Sequence, residues 1–222
     1  AINFYHALKD KRYVEGFRLS VYRGAVEGLS AAELKELEPD FARAFSAIPG
    51  KIEAKGEQVM GDAATVYLQF EGQEKPQPVA LIRVQGEWLV GDQESLALVQ
   101  LQGRNFFFNT RMQVNEEEAG ELLQRLVWAE LLYAQNKGGV FATLQELIQL
   151  DGAPKELAEG TVGGYAYTMT VAADKSSFFI TATPAQYGKT GKLSFYADNK
   201  GVRAEDAKGK AATANSPLYN PR

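Results

Sequence analysis

The sequence predicts an α+β chain of two parts, and three features predict it. Apolar positions recur at three- and four-residue spacing through the first 48 residues. After Pro49-Gly50 the period drops to two. A second helix-then-strand succession follows from Thr110. Helices grouped before strands, rather than alternating with them, give antiparallel sheets with helices packed on them.

The first segment, FYHALKDKRYVEGFRLS, sets Phe4, Leu8, Val14, Phe17 and Val21 on apolar stripes, with KDK as a polar break between two short helices. Ser30 is a good N-cap for a third, and Glu33 three residues on completes a capping box. Leu34, Leu37, Phe41, Ala44, Phe45 and Ile48 then line one face, with Pro39 expected to kink or split the helix. KIEAKGEQVM, ATVYLQFEG, PVALIRVQG and EWLVGD read as four short strands of a meander ending near Asp92. The expected first domain is therefore residues 1–92, helices on an antiparallel sheet in a cone-like arrangement.

Residues 93–109, QESLALVQLQGRNFFFN, form a connector that is either helical or a further strand. The second domain, residues 110–222, opens on a long helix. Leu122, Leu126, Ala129 and Tyr133 form its stripe, widened by Leu123, Val127 and Leu131, and Gly138-Gly139 stops it. FATLQELIQLDG is a short helix, and YAYTMTVA, SFFITAT and KLSFYAD are three strands of the sheet that the long helix covers. The tail AEDAKGKAATANSPLYNPR is small, polar and proline-punctuated; with no core of its own it has to rest on something.

The 222 residues are 45% hydrophobic and 23% charged, as in an ordinary folded protein. The net charge of −4 is uneven: residues 1–100 carry 11 basic against 15 acidic side chains, while the remainder carries 13 of each. Nucleic acid and anionic membrane surfaces need clustered basic charge, so neither is expected as a partner. No run approaches the roughly 20 apolar residues of a membrane span. The absence of cysteine excludes disulfides, thiolate nucleophiles and cysteine metal sites. With His6 the one histidine, Ser-His-Asp chemistry and histidine metal sites are hard to build; no metal, cofactor or catalytic residue is assigned.

GKTGK within TPAQYGKTGKLS looks like half of a phosphate-binding loop. Gly188, Lys189 and Thr190 match its end, but Thr183 stands where the first glycine belongs, and a strand follows rather than a helix. It reads as a turn. Isomerase-type chemistry needs a carboxylate and hydrogen-bonding acids in one pocket; His6, Asp40, Asp62, Tyr13 and Tyr67 are the right types, without a pattern that makes them converge. Tyr13, Phe17, Phe41, Phe45, Tyr67 and Trp88 read as the solid core of the first sheet, or alternatively as the lining of a ligand cavity beneath it. Glu116, Glu117 and Glu118 diverge around a helix and read as a solvated face.

Two resemblances add to this. TRMQVNEEEAGELL, AELLYAQNKGGVFATLQEL, GYAYTMTV and FFITATPAQYGKTGKLSFYADNKGV, in that order over residues 104–205, resemble the soluble headgroup of type IV pilins and pseudopilins. Pilins polymerise through an apolar N-terminal helix; here residues 93–109 and a whole preceding domain stand in its place, so the fold carries over and filament assembly does not. FYHALKDKRYVEGFRLS, the GD turn before ATVYLQF and the closing GEWLV resemble the nuclear transport factor 2-like domain over residues 2–92. That family includes ketosteroid-isomerase-type enzymes, although most members are binding or packing modules.

These resemblances imply an exported bacterial envelope protein, in the periplasm, at the outer membrane surface or outside the cell. It would be non-enzymatic and act by contact with a protein partner or a small apolar ligand. A start at Ala1 fits a removed leader, which could have carried a lipid anchor. One alternative is a small-molecule-binding or isomerase-type enzyme using the first domain's cone; another is an accessory subunit of a pilus or secretion system.

Overall fold

The computed structural model describes residues 1–220 and is mixed α+β, with two antiparallel sheets. The chain divides into two compact units, Ala1–Phe108 and Asn109–Arg222.

The first unit opens with α1 (Ile2–Lys9), α2 (Tyr13–Arg18), α3 (Arg23–Glu27) and α4 (Ala31–Ala44). The KDK break is real: Lys11 adopts a positive φ of 60°, which ends the first helix. Three helices were expected where four stand, because α3 is a turn and a half and too short to show a period. At α4 the capping box forms as expected, with the Glu33 N–H donating to Ser30 Oγ and the Ser30 N–H to the Glu33 carboxylate. Of the two outcomes expected at Pro39, a split does not occur: α4 runs through it. Pro39 is exposed, so water can serve the carbonyl that loses its partner, and buried Leu37 and Phe41 anchor the helix on both sides.

Strands β1 (Ile52–Met60), β2 (Ala63–Phe70), β3 (Gln77–Val84) and β4 (Glu87–Val90) pair in chain order. Val66, Leu68 and Phe70 of β2 join the core beneath the helices, and Tyr67 between them faces away. Residues 93–109 are helical: α5 (Gln93–Gln102), capped by Asp92, a 3-10 turn at Gly103–Asn105, and the first residues of α6 (Phe106–Asn136). Val99 and Phe107 from this stretch are buried in the first unit's core.

The long helix α6 thus starts at Phe106, ahead of the expected Thr110, and Glu116–118 lie well inside it. Gly138 and Gly139, at φ 71° and 90°, end it. In the second unit Leu122, Leu123, Leu126 and Val127 pack against Tyr165, Ile180, Ala182, Phe195 and Ala197 of a five-stranded sheet. Between them in sequence lies α7 (Leu144–Gln149). The strands are β5 (Thr161–Val162), β6 (Tyr165–Val171), β7 (Phe178–Pro184), β8 (Ser194–Asp198) and β9 (Gly201–Glu205), again in chain order. Two of these exceed the expected three: β5 is only two residues long, and β9 offers the sheet little beyond Val202 and Ala204.

Candidate functional site

The six aromatic residues singled out in the sequence separate into two groups. Tyr13 of α2, Phe17 of α2 and Phe41 of α4 are buried, and Phe45, at the end of α4, packs against them. Ring centroids lie 5.0 Å apart for Phe17 and Phe41 and 5.3 Å for Tyr13 and Phe41. Phe107 completes the cluster, 4.8 Å from Phe17 and 5.0 Å from Phe41. Tilted and edge-on rings at these separations attract one another beyond the area they bury. Around this cluster the space between helices and sheet is filled by side chains; a groove of about 350 Å³ lies away from it, between α3, α5 and the β3–β4 hairpin, lined by Val21, Leu89, Leu96 and Val99.

Tyr67 and Trp88 stand apart from that cluster. Tyr67 is 39% exposed on the far face of β2, and Trp88 is 38% exposed with the Arg83 guanidinium 5.5 Å above its ring. Of the acids named for isomerase-type chemistry, Asp62 reaches Trp88 only through Arg83. Asp62, at the β1–β2 turn, binds Arg83 at 2.8 Å. His6 lines a separate polar groove of about 480 Å³ with Lys9, Asp10 and Arg12, where Arg12 ties to Asp10 and Glu15.

Beside the aromatic cluster a groove of about 310 Å³ lies between α2 and α4. Tyr13, Val14, Leu34 and Phe41 form its apolar floor, and its rim mixes Lys11 and Lys35 with Glu15 and Glu38. Burial, and then the nearby Glu38 carboxylate, raise the Tyr13 phenol's pKa above its ordinary value. The groove lies at the small end of ligand sites, with an apolar floor and a rim of both charges. It suits a small amphipathic molecule better than a steroid-sized one.

The second unit has chemistry that the sequence reading missed. Glu130 of α6 is fully buried; Oε2 accepts the Ala142 N–H at 2.8 Å and Oε1 has no hydrogen-bond partner. Burial pushes its pKa up to about 7, against the pull of the Ala142 N–H; the Glu146 carboxylate pushes it further up and Lys175 draws it down. Glu146 itself is held down at about 2 by Lys175, whose Nζ lies 2.8 and 2.9 Å from its oxygens, and by the Thr143 cap. A glutamate falling on the inward stripe between Leu126 and Tyr133 was the available signal.

The GKTGK stretch is a loop between β7 and β8, with Gly188 at φ 74°. Glu116 Oε1 accepts the N–H groups of Lys192 and Leu193 at 2.7 and 3.2 Å, and Asn115 Nδ2 donates to the Thr190 carbonyl. The Gly188, Lys189 and Thr190 N–H groups are taken by the Gly191 and Gln186 carbonyls, and the Glu116 carboxylate nearby would repel a phosphate. No family model matches the chain, and neither does any curated protein or solved structure.

Proposed function

We propose that this is a non-enzymatic binding protein of the bacterial envelope, in which the first unit is a packed scaffold rather than a hollow ligand-binding cone. The observation that carries this is the mutual packing of Phe17, Phe41 and Phe107 at 4.8–5.0 Å where a cone would hold its ligand. The envelope location rests on the resemblance of residues 104–205 to pilin headgroups, and cell fractionation tests it separately. Recovery in the cytosolic fraction alone would remove the envelope from the proposal.

A second reading, a carrier for a small amphipathic molecule, is favoured by the groove over Tyr13 and Phe41. A thermal-shift screen of steroid-like and small amphipathic compounds distinguishes the two. Stabilisation by a steroid-like compound, abolished in Phe17→Ala, would mean that the core opens, and the scaffold reading fails. Stabilisation by small amphipathic compounds, lost in Leu34→Asp, supports the carrier reading instead.

A further inference from the structure

The C-terminal residues add a sixth extended segment to the second sheet. Leu218 pairs antiparallel with Arg203 of β9. The Ala204 N–H donates to the Pro217 carbonyl at 3.0 Å, and the Tyr219 N–H donates to the Val202 carbonyl at 2.9 Å. Arg203 Nη1 reaches the Ser216 carbonyl at 3.2 Å, and the Ser216 hydroxyl donates to the Glu205 carboxylate.

Strand alternation then sorts the side chains. Leu218 is 59% exposed, whereas Tyr219 meets the Phe195 ring edge-on at 5.2 Å. Its ring lies against Gly120 of α6, where a Cβ would collide with it. Glycine inside a helix costs about 1 kcal/mol relative to alanine. The notch for Tyr219 gives that glycine a purpose.

We propose that the β9 edge and the Gly120–Phe195 notch form a binding site for an extended Pro-Leu-Tyr segment. This chain fills the site with its own residues 217–219, and the same segment of a second copy can replace them. Strand addition of this kind takes affinity from main-chain bonds and specificity from the pocket for alternate side chains. The contacts are the same whichever copy supplies the segment, so effective concentration decides. A tether of about ten residues, here 206–215, holds its own segment at roughly millimolar concentration. Dilute chains close on themselves, and chains crowded together exchange segments. The site belongs to the second unit and does not depend on what the first unit binds.

The probe is a fluorescent peptide of residues 211–220, AATANSPLYN. Full-length Tyr219→Ala, whose own segment has lost its anchor, should bind it about ten-fold or more tighter than wild type, since the tethered competitor is weakened. Adding Gly120→Ala to that variant should abolish binding by filling the notch. Equal binding to wild type and Tyr219→Ala, or none to either, overturns the proposal. Should Tyr219→Ala fail to fold, hydrogen exchange on wild type decides. Excess peptide should expose the Tyr219 amide while the Ala204 amide stays protected, and a Tyr219 amide unmoved at saturation would reject the site. At about millimolar chain, sedimentation should show a dimer; a monomer there rules out exchange between copies.

Discussion

Phe41 and Glu130 show how much one side chain decides in each unit. Phe41 touches the rings of Tyr13, Phe17 and Phe107, so truncation leaves a hole that three aromatic rings cannot easily close. Phe41→Ala should cost about 3–5 kcal/mol in denaturant unfolding. A loss under about 1 kcal/mol would mean that the cluster is loosely packed. Glu130 makes a pH prediction. Its folded-state pKa is raised to about 7 from 4.5, so the folded chain holds this proton where the unfolded chain has released it. Its contribution is fully present below the unfolded value and is lost as pH climbs through about 7. Glu146 is shifted the other way, and its contribution is lost as pH falls toward about 2. Stability of the second unit should therefore fall between about pH 5 and about pH 8 by on the order of 1–3 kcal/mol. Glu130→Gln keeps the shape and removes the charge, and should flatten that slope. An unchanged slope in the variant would place the titration elsewhere.

Among the elements, α4 has the plainest local design. Its capping box serves N–H groups that the first turn leaves unpaired, and Ser30→Ala should cost about 1 kcal/mol without moving the sheet. Urea melts of the two proteins measure this, and equal midpoints would show the cap to be idle. The loop between β7 and β8 is built from the other direction, by the Glu116 carboxylate and Asn115 amide reaching into it from α6. ATP should accordingly leave the melting temperature unchanged; a rise that grows with ATP concentration would show that the carboxylate can be displaced. Pro39 and Glu116–118 belong to the same lesson. A proline need not break a helix anchored on both sides, and charges grouped in sequence need not sit at a helix end.

For the whole molecule, the segment between the two recognisable helix–strand patterns is not an exposed linker. Residues 93–109 are helical and bury Val99 and Phe107. Limited proteolysis should spare this stretch. Early cuts should fall in the fully exposed turn 71–76 or at the exposed Gly138-Gly139, where the chain leaves regular structure. Mass spectrometry of the first fragments decides, and a leading cut between 93 and 109 would refute the buried arrangement. Filaments are not expected of the purified chain, because α6, the long helix, carries charge at Arg111, Glu116, Glu117, Glu118, Glu121 and Arg125 and so has no continuous apolar run for an assembly seam. Electron micrographs showing regular filaments would contradict that.

The residue order alone determined the α+β class, the alternation of Val66, Leu68 and Phe70, the Ser30 cap and the glycine stop after α6. Each is a local matter: a period, a short-range hydrogen bond or a backbone angle that glycine tolerates. The tertiary structure decided the rest. It brought Phe107 to Phe17 and Phe41, left Tyr67 and Trp88 on the surface, and buried Glu130 under Ala142. It also laid Tyr219 against Gly120, almost a hundred residues away in sequence. Periodicity states which residues share a face, but not which distant face meets it. A filled cone and an empty one have the same apolar pattern, and only the packing of chains far apart in sequence distinguishes them.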